Sequence, residues 1–161
     1  MTRSSAFVPN HCDTRLRSLV ECWRDLPSTS LGPPLRRDLD PLHLPPSLLP
    51  HIWMVDVEVA PSRFRFRLCG SHLVDALRLD PTGKYYDEMF ADFARSETHL
   101  AMVRVRDSGE PSWRAGNPYL AFPAQRLRVL ERVFLPLSVE GRRIDIILAG
   151  SIYRMPSGRE V

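Results

Sequence analysis

Apolar positions change period along this chain, and each change marks an element. Leu16, Leu19, Val20, Trp23 and Leu26 recur at helical spacing, with Arg15, Arg17, Glu21 and Arg24 on the other side. Asp13 and Thr14 suit an N-cap, and Pro27 stops the run. The spacing predicts an amphipathic helix within 12–27, after a loose tail over 1–11. A helix this short is unstable alone. Its stripe must dock on the domain core or on a second copy of itself. The second option makes Leu16, Leu19, Val20 and Trp23 a homodimer interface.

Between 28 and 50 the pattern is set by Pro33, Pro34, Pro41, Pro45, Pro46 and Pro50, which exclude a central strand or a long helix. Leu42, Leu44, Leu48 and Leu49 are interleaved, so the connector is expected to pack on the surface, with one helical turn at 46–49. From Ile52 the period becomes two. Trp53, Val55, Val57 and Val59 alternate with Ile52, Met54, Asp56 and Glu58. After the Ala60-Pro61-Ser62 turn, Phe64, Phe66 and Leu68 alternate with Arg63, Arg65 and Arg67. These runs predict an antiparallel hairpin with Asp56 and Glu58 facing Arg65 and Arg67.

Gly70 opens a short helix, Pro81-Thr82-Gly83 breaks the chain, and a second short helix ends on Met89-Phe90. A longer helix is expected over 92–107, its buried face carrying Met89, Phe93, Ser96, Leu100 and Val103, with Gly109 as cap. Strands follow at 112–122, interrupted by Gly116-Asn117-Pro118, at 126–137 and from Ile144 to Ile152. Residues 155–161 read as a frayed tail. Strand pairs on either side of a helical insert imply an α+β fold, an antiparallel sheet with helices on one face and the main domain at 51–154.

Composition bounds the class. A chain of 161 residues, 43% hydrophobic and 25% charged, suits one globular domain. No apolar run nears the roughly 20 residues of a membrane span, and the N-terminus lacks the apolar core of a secretion signal. The chain is therefore expected in the cytoplasm, without a membrane partner. Cys12, Cys22 and Cys69 are scattered and form no CxxC pair, which argues against a disulfide framework or zinc knuckle, so no metal is assigned. The net charge of +3 comes from dispersed arginines, with Lys84 the single lysine, and argues against nucleic acid.

The Phe64–Gly70 strand, Thr82-Gly83 followed by Glu88-Met89-Phe90, and the helix ending in Asp-Ser-Gly-Glu-Pro at 107–111 together resemble a PAS domain. Residues 37–41, Leu48-Leu49-Pro50, 55–58, Glu131-Arg132 and 135–137 are similar to the PAS_5 family of bacterial stand-alone PAS proteins. The resemblance implies a PAS-like five-stranded antiparallel sheet that cups helices around a small cavity. Family members bind metabolites, haem, flavin or nothing, and commonly dimerise through an N-terminal helix. The cofactor stays unknown.

On that frame, the expected pocket is lined by Phe66, Leu68, Leu73, Tyr86, Leu100, Val103, Glu131, Val133 and Leu148. Glu131 draws attention because it interrupts the series Val129, Val133, Leu135, where a bare carboxylate is costly unless paired. It is expected either to pair with Arg67 or Arg104 or to anchor a ligand. Tyr85 and Tyr86 are expected at the cavity mouth or in ordinary packing. His99 is read as a solvated helix residue rather than an iron ligand, and Cys69 as a structural thiol. Arg126, Arg128 and Arg132 are read as an outward row on a solvated face.

No nucleophile triad, metal cluster or phosphate loop is present in the sequence, so a catalytic role is not expected. The leading expectation is a cytoplasmic sensor that binds an unidentified small molecule and signals through an unidentified protein. The alternative is a ligand-free interaction module with a filled core. An isomerase-type enzyme comes third, because it needs an Asp or His inside the cavity.

Overall fold

The alternation that begins at Ile52 builds β1 (Ile52–Val59) and β2 (Ser62–Cys69), an antiparallel hairpin. Asp56 meets Arg65 at 3.2 Å and Arg67 at 3.0 Å, as expected. Glu58 instead accepts the Tyr85 hydroxyl at 3.0 Å. The computed structural model describes residues 6–27, 29, 32–118 and 129–161. Among them the remaining elements are α1 (Thr14–Arg24), α2 (Ser71–Leu77), α3 (Tyr86–Met89), α4 (Glu97–Ser108), β3 (Ser112–Gly116), β4 (Val129–Leu137) and β5 (Ile146–Arg154). The strands form one antiparallel sheet in the order β2-β1-β5-β4-β3. Gly70 follows β2 where the backbone passes Pro50 so closely that a Cβ would collide with the Pro50 carbonyl oxygen.

Helices cover both faces of this sheet. On one side α2, α3, α4 and the 3-10 turn Phe93–Arg95 pack on Trp53, Val55, Phe64, Phe66, Leu130, Phe134, Ile147 and Ala149. On the far side α1 and the connector pack on Ile52, Met54, Val133, Leu135, Leu137, Ile146, Leu148 and Ile152. The physical reason lies in the central strands. β4 and β5 are apolar at both parities, and a sheet cannot leave such a face in water. So α1 caps the core rather than a second copy. Leu16, Leu19, Val20 and Trp23 are 0–3% exposed within one chain. The dimer interface expected there is corrected: the stripe is spent on the chain's own sheet. Gly150 makes the crossing possible, since a Cβ on it would meet the Cδ2 atoms of Leu16 and Leu19 at 2.8 Å. The Trp23 indole N–H donates to Pro136 O at 2.9 Å and pins the end of the helix.

The connector behaves as a packed cover. Leu39, Leu44 and Leu48 are buried, a 3-10 turn forms at Pro46–His51, and Arg36 N–H donates to Ser138 O at 2.8 Å. Leu42 and Leu49 point to solvent. Both supposed tails are tied down where they are described. Val8 is buried beside α1, while Val161 N–H donates to Tyr153 O at 3.2 Å.

The long helix starts later than its spacing suggests. Ser96 is its N-cap, accepting from His99 N–H at 3.1 Å, and the cap resets the register after the 3-10 turn. The inner face is therefore Thr98, Ala101, Met102 and Val105. Leu100 is 52% exposed, which removes it from the expected pocket, and Val103 packs only at the margin of the core.

Candidate functional site

Parity along β4 decides which side chains enter the core between the sheet and α2–α4. Leu130, Arg132 and Phe134 face α4, whereas Glu131, Val133 and Leu135 face α1. The expected inward series is thus the outward one. Glu131, Val133 and Leu148 leave the predicted pocket for the far face, because α1 takes the side they occupy. Leu68 leaves as well. A register shift between Met54 and Val55 places it opposite Met54, on the far side and exposed. Phe66, Leu73 and Tyr86 are buried in the core between the sheet and α2–α4.

Glu131 is held by α1 and β3 rather than by Arg67 or Arg104. Its Oε1 accepts Asp13 N–H at 2.8 Å and the Trp113 indole N–H at 3.1 Å, and Arg154 lies 4.0 Å from Oε2. The same knot includes Asp13, whose carboxylate receives Arg15 and Arg154 at 3.0 and 2.8 Å. Burial would raise the Asp13 pKa, but the bonds and charge of Arg15 and Arg154 prevail and bring it to about 2. Burial and then the Glu131 carboxylate push the neighbouring Cys12 thiol up to about 12. Arg15 also pairs with Glu160 and contacts His51 Nε2 at 3.0 Å. His51 in turn lies 4.3 Å, centroid to centroid, from His72, whose Nε2 accepts Tyr153 N–H at 2.9 Å. Burial, then the charge of His51, lowers the His72 pKa to about 4. This network locks α1, the connector and the C-terminus onto the sheet.

The core on the α4 side is built differently. Tyr86 stacks on Phe66 at 4.3 Å and on Phe93 at 4.6 Å, and Trp53 meets Phe134 edge-on at 5.7 Å. Among these rings lies Arg132, 1% exposed, with its Cζ 4.0 Å above the Phe134 ring. The expectation of a solvated Arg132 is corrected. Arg126 and Arg128, read with it as a row, lie outside the described residues. Burial lowers the pKa of Arg132 and Glu97 opposes the change, but a guanidinium keeps its proton in proteins and needs an anion. That anion is Glu97, whose two carboxylate oxygens accept from Nη2 at 2.7 and 2.9 Å.

Two features make this pair unlike the Glu131 knot. Arg114 stands directly opposite Arg132 across β3 and β4, an unfavourable like-charge placement, and shares Glu97 at 3.6 Å. Arg132 Nε is buried without a hydrogen-bond partner among the described residues, and Nη1 reaches only a long 3.5 Å contact with Ser112 Oγ. Glu97 sits in the first turn of α4, where the helix dipole favours a carboxylate, and its side chain is one-third exposed. It borders a surface hollow of about 560 Å³ together with Asp92, Arg95 and Ser96.

His99 is half-buried, its ring edge-on to Phe64 and Phe93 at 6.1 and 5.0 Å, and its Nδ1 also lacks a partner among the described residues. It is therefore not the solvated residue expected. Tyr85 turns outward under the guanidinium of Arg63, and Cys69 is half-buried, its thiol pushed up to about 11 by burial. A third orphaned nitrogen, Arg36 Nε, lies in the connector. Among the described residues no group of three His, Cys, Asp or Glu side chains could hold a metal ion, and no helix is long and apolar enough to cross a membrane. Arg132 was missed because period two gives no sign of which parity meets which helix. A signal was available in Glu131-Arg132 itself, two adjacent charges inside an apolar strand, one of which has to face the cleft.

A family model described as PAS domain, PAS_5, matches residues 12–150, a span that begins before α1 and ends in β5. No curated protein and no solved structure matches the chain at a significant level. The matched span takes in α1, the connector and the strand that carries Glu131 and Arg132, so the chain belongs to the PAS_5 family of PAS domains.

Proposed function

We propose that this protein is a sensory or regulatory PAS protein of the bacterial cytoplasm that binds a small molecule at the cleft between sheet and helices and passes the event to another protein. It acts by binding, not by turnover. The observation that carries the reading is Arg132, a buried cation with incomplete hydrogen bonding in an otherwise aromatic interior. Such a group is unfavourable for stability alone, and recognition sites are where proteins accept that penalty. The three free thiols fit a reducing compartment. Native mass spectrometry of gently purified protein is the direct test. A releasable small-molecule adduct, or a thermal shift with members of a compound library, is the expected outcome. A uniformly empty protein whose melting is indifferent to the library would overturn it.

One observation favours a second reading, an interaction module without ligand. The rings of Trp53, Phe66, Tyr86, Phe93 and Phe134 fill much of the interior. Under that reading a partner protein binds without any small molecule, and adding ligands leaves its affinity unchanged.

A further inference from the structure

Every aspartate and glutamate of the chain lies among the described residues, and Glu97 is the one carboxylate among them within 4.0 Å of Arg132. Glu97 is shared between two guanidinium groups, those of Arg132 and Arg114. The carboxylate is also the exchangeable member. It comes from a one-third-exposed side chain at the first turn of a helix, and it borders the 560 Å³ hollow that opens to solvent. Arg132, by contrast, is fixed by a central strand and by the ring of Phe134.

We propose that Arg132 is an anion receptor and that its ligand is a small organic carboxylate, which takes the place of Glu97 while its body occupies the hollow beside Asp92, Arg95 and Ser96. The exchange keeps the charge of the interior constant, because one monovalent carboxylate replaces another. A guanidinium offers parallel N–H groups that match a carboxylate in two-point contact. The vacant Nε–H gives the newcomer a bond that Glu97 does not make. Released Glu97 turns to solvent and frees the first turn of α4, which converts binding into a change at the protein surface. This inference rests on the small-molecule reading above and adds the chemical class.

The test uses the full chain, benzoate and its neutral isostere benzamide, followed by calorimetry and by the Arg132 Nε–H cross-peak in nitrogen-15 spectra, assigned by its loss in Arg132→Lys. Benzoate is expected to bind and shift that signal, and benzamide is not. In Glu97→Gln the resting competitor is gone, so benzoate should bind about tenfold more tightly. Equal binding of acid and amide, or no gain in Glu97→Gln, overturns the proposal. Phenyl phosphate binding in place of benzoate overturns the carboxylate class. If amides or other neutral compounds bind the cleft and acids do not, the sensor reading stands and this inference falls. If neither acids, amides nor the wider library bind, both fall.

Discussion

The two faces of the sheet each bury a charge, from adjacent residues of β4, and they handle it differently. Glu131 on the α1 side is met by a backbone N–H, an indole N–H and an arginine from three separate elements. Arg132 on the α4 side relies on a surface glutamate, opposes a second arginine and leaves one N–H unpaired. A charge kept for architecture is held by groups that are themselves fixed. Under the proposed function, a charge kept for recognition is held by a partner that can leave. The α1 face is thus the lock of the fold, and the α4 face keeps a buried cation with incomplete hydrogen bonding.

The comparison can be broken by mutation. Leu16→Ala removes a fully buried anchor of the lock and should cost about 3–5 kcal/mol in urea unfolding, as large cavities in a core do. A loss below about 1 kcal/mol would mean that α1 is only an accessory cover. Glu131→Leu strands the Asp13 N–H and the Trp113 indole, and the expected loss is about 2–4 kcal/mol by the same measurement.

The lock is also predicted to respond to acid through His72, and the sign follows from linkage. Its pKa is lowered from 6.5 in the unfolded chain to about 4 in the fold, so the unfolded state binds the extra proton between these values. Stability is then full above pH 6.5 and falls as the pH drops toward 4, by up to about 3 kcal/mol. Urea midpoints across this window check it. His72→Gln, which keeps an acceptor for Tyr153 N–H, should flatten the slope. The smallest effect is expected on the other face. Arg132→Met removes a buried charge, leaves Glu97 to Arg114 and to water, and should change stability by no more than about 1 kcal/mol, with a gain allowed. A loss as large as that of Glu131→Leu would make Arg132 a structural residue and erase the contrast.

Much of the architecture was legible because local patterns had single solutions. The α1 stripe, the β1–β2 hairpin with Asp56 against Arg65 and Arg67, and the packed proline connector each follow from spacing that fits one element. The family resemblance rested on motifs spread from residue 37 to residue 137, and the family model matches residues 12–150. The site was not legible in the same way. Phe66, Leu73 and Tyr86 lie on the α4 side of the sheet, where the expected pocket was drawn, while Glu131, Val133 and Leu148 lie on the far side and Leu68 and Leu100 are exposed.

The amino-acid sequence by itself determined which residues share a face of each element, since period two and the helical period are local backbone properties. Tertiary structure decided which face meets which partner. In β4 and β5 both parities are apolar, so either could have met α4, and the pattern is symmetric under that exchange. Gly150 breaks the symmetry by letting Leu16 and Leu19 of α1 approach one side. Once α1 lies there, Glu131 is committed to the lock and Arg132 to the cleft.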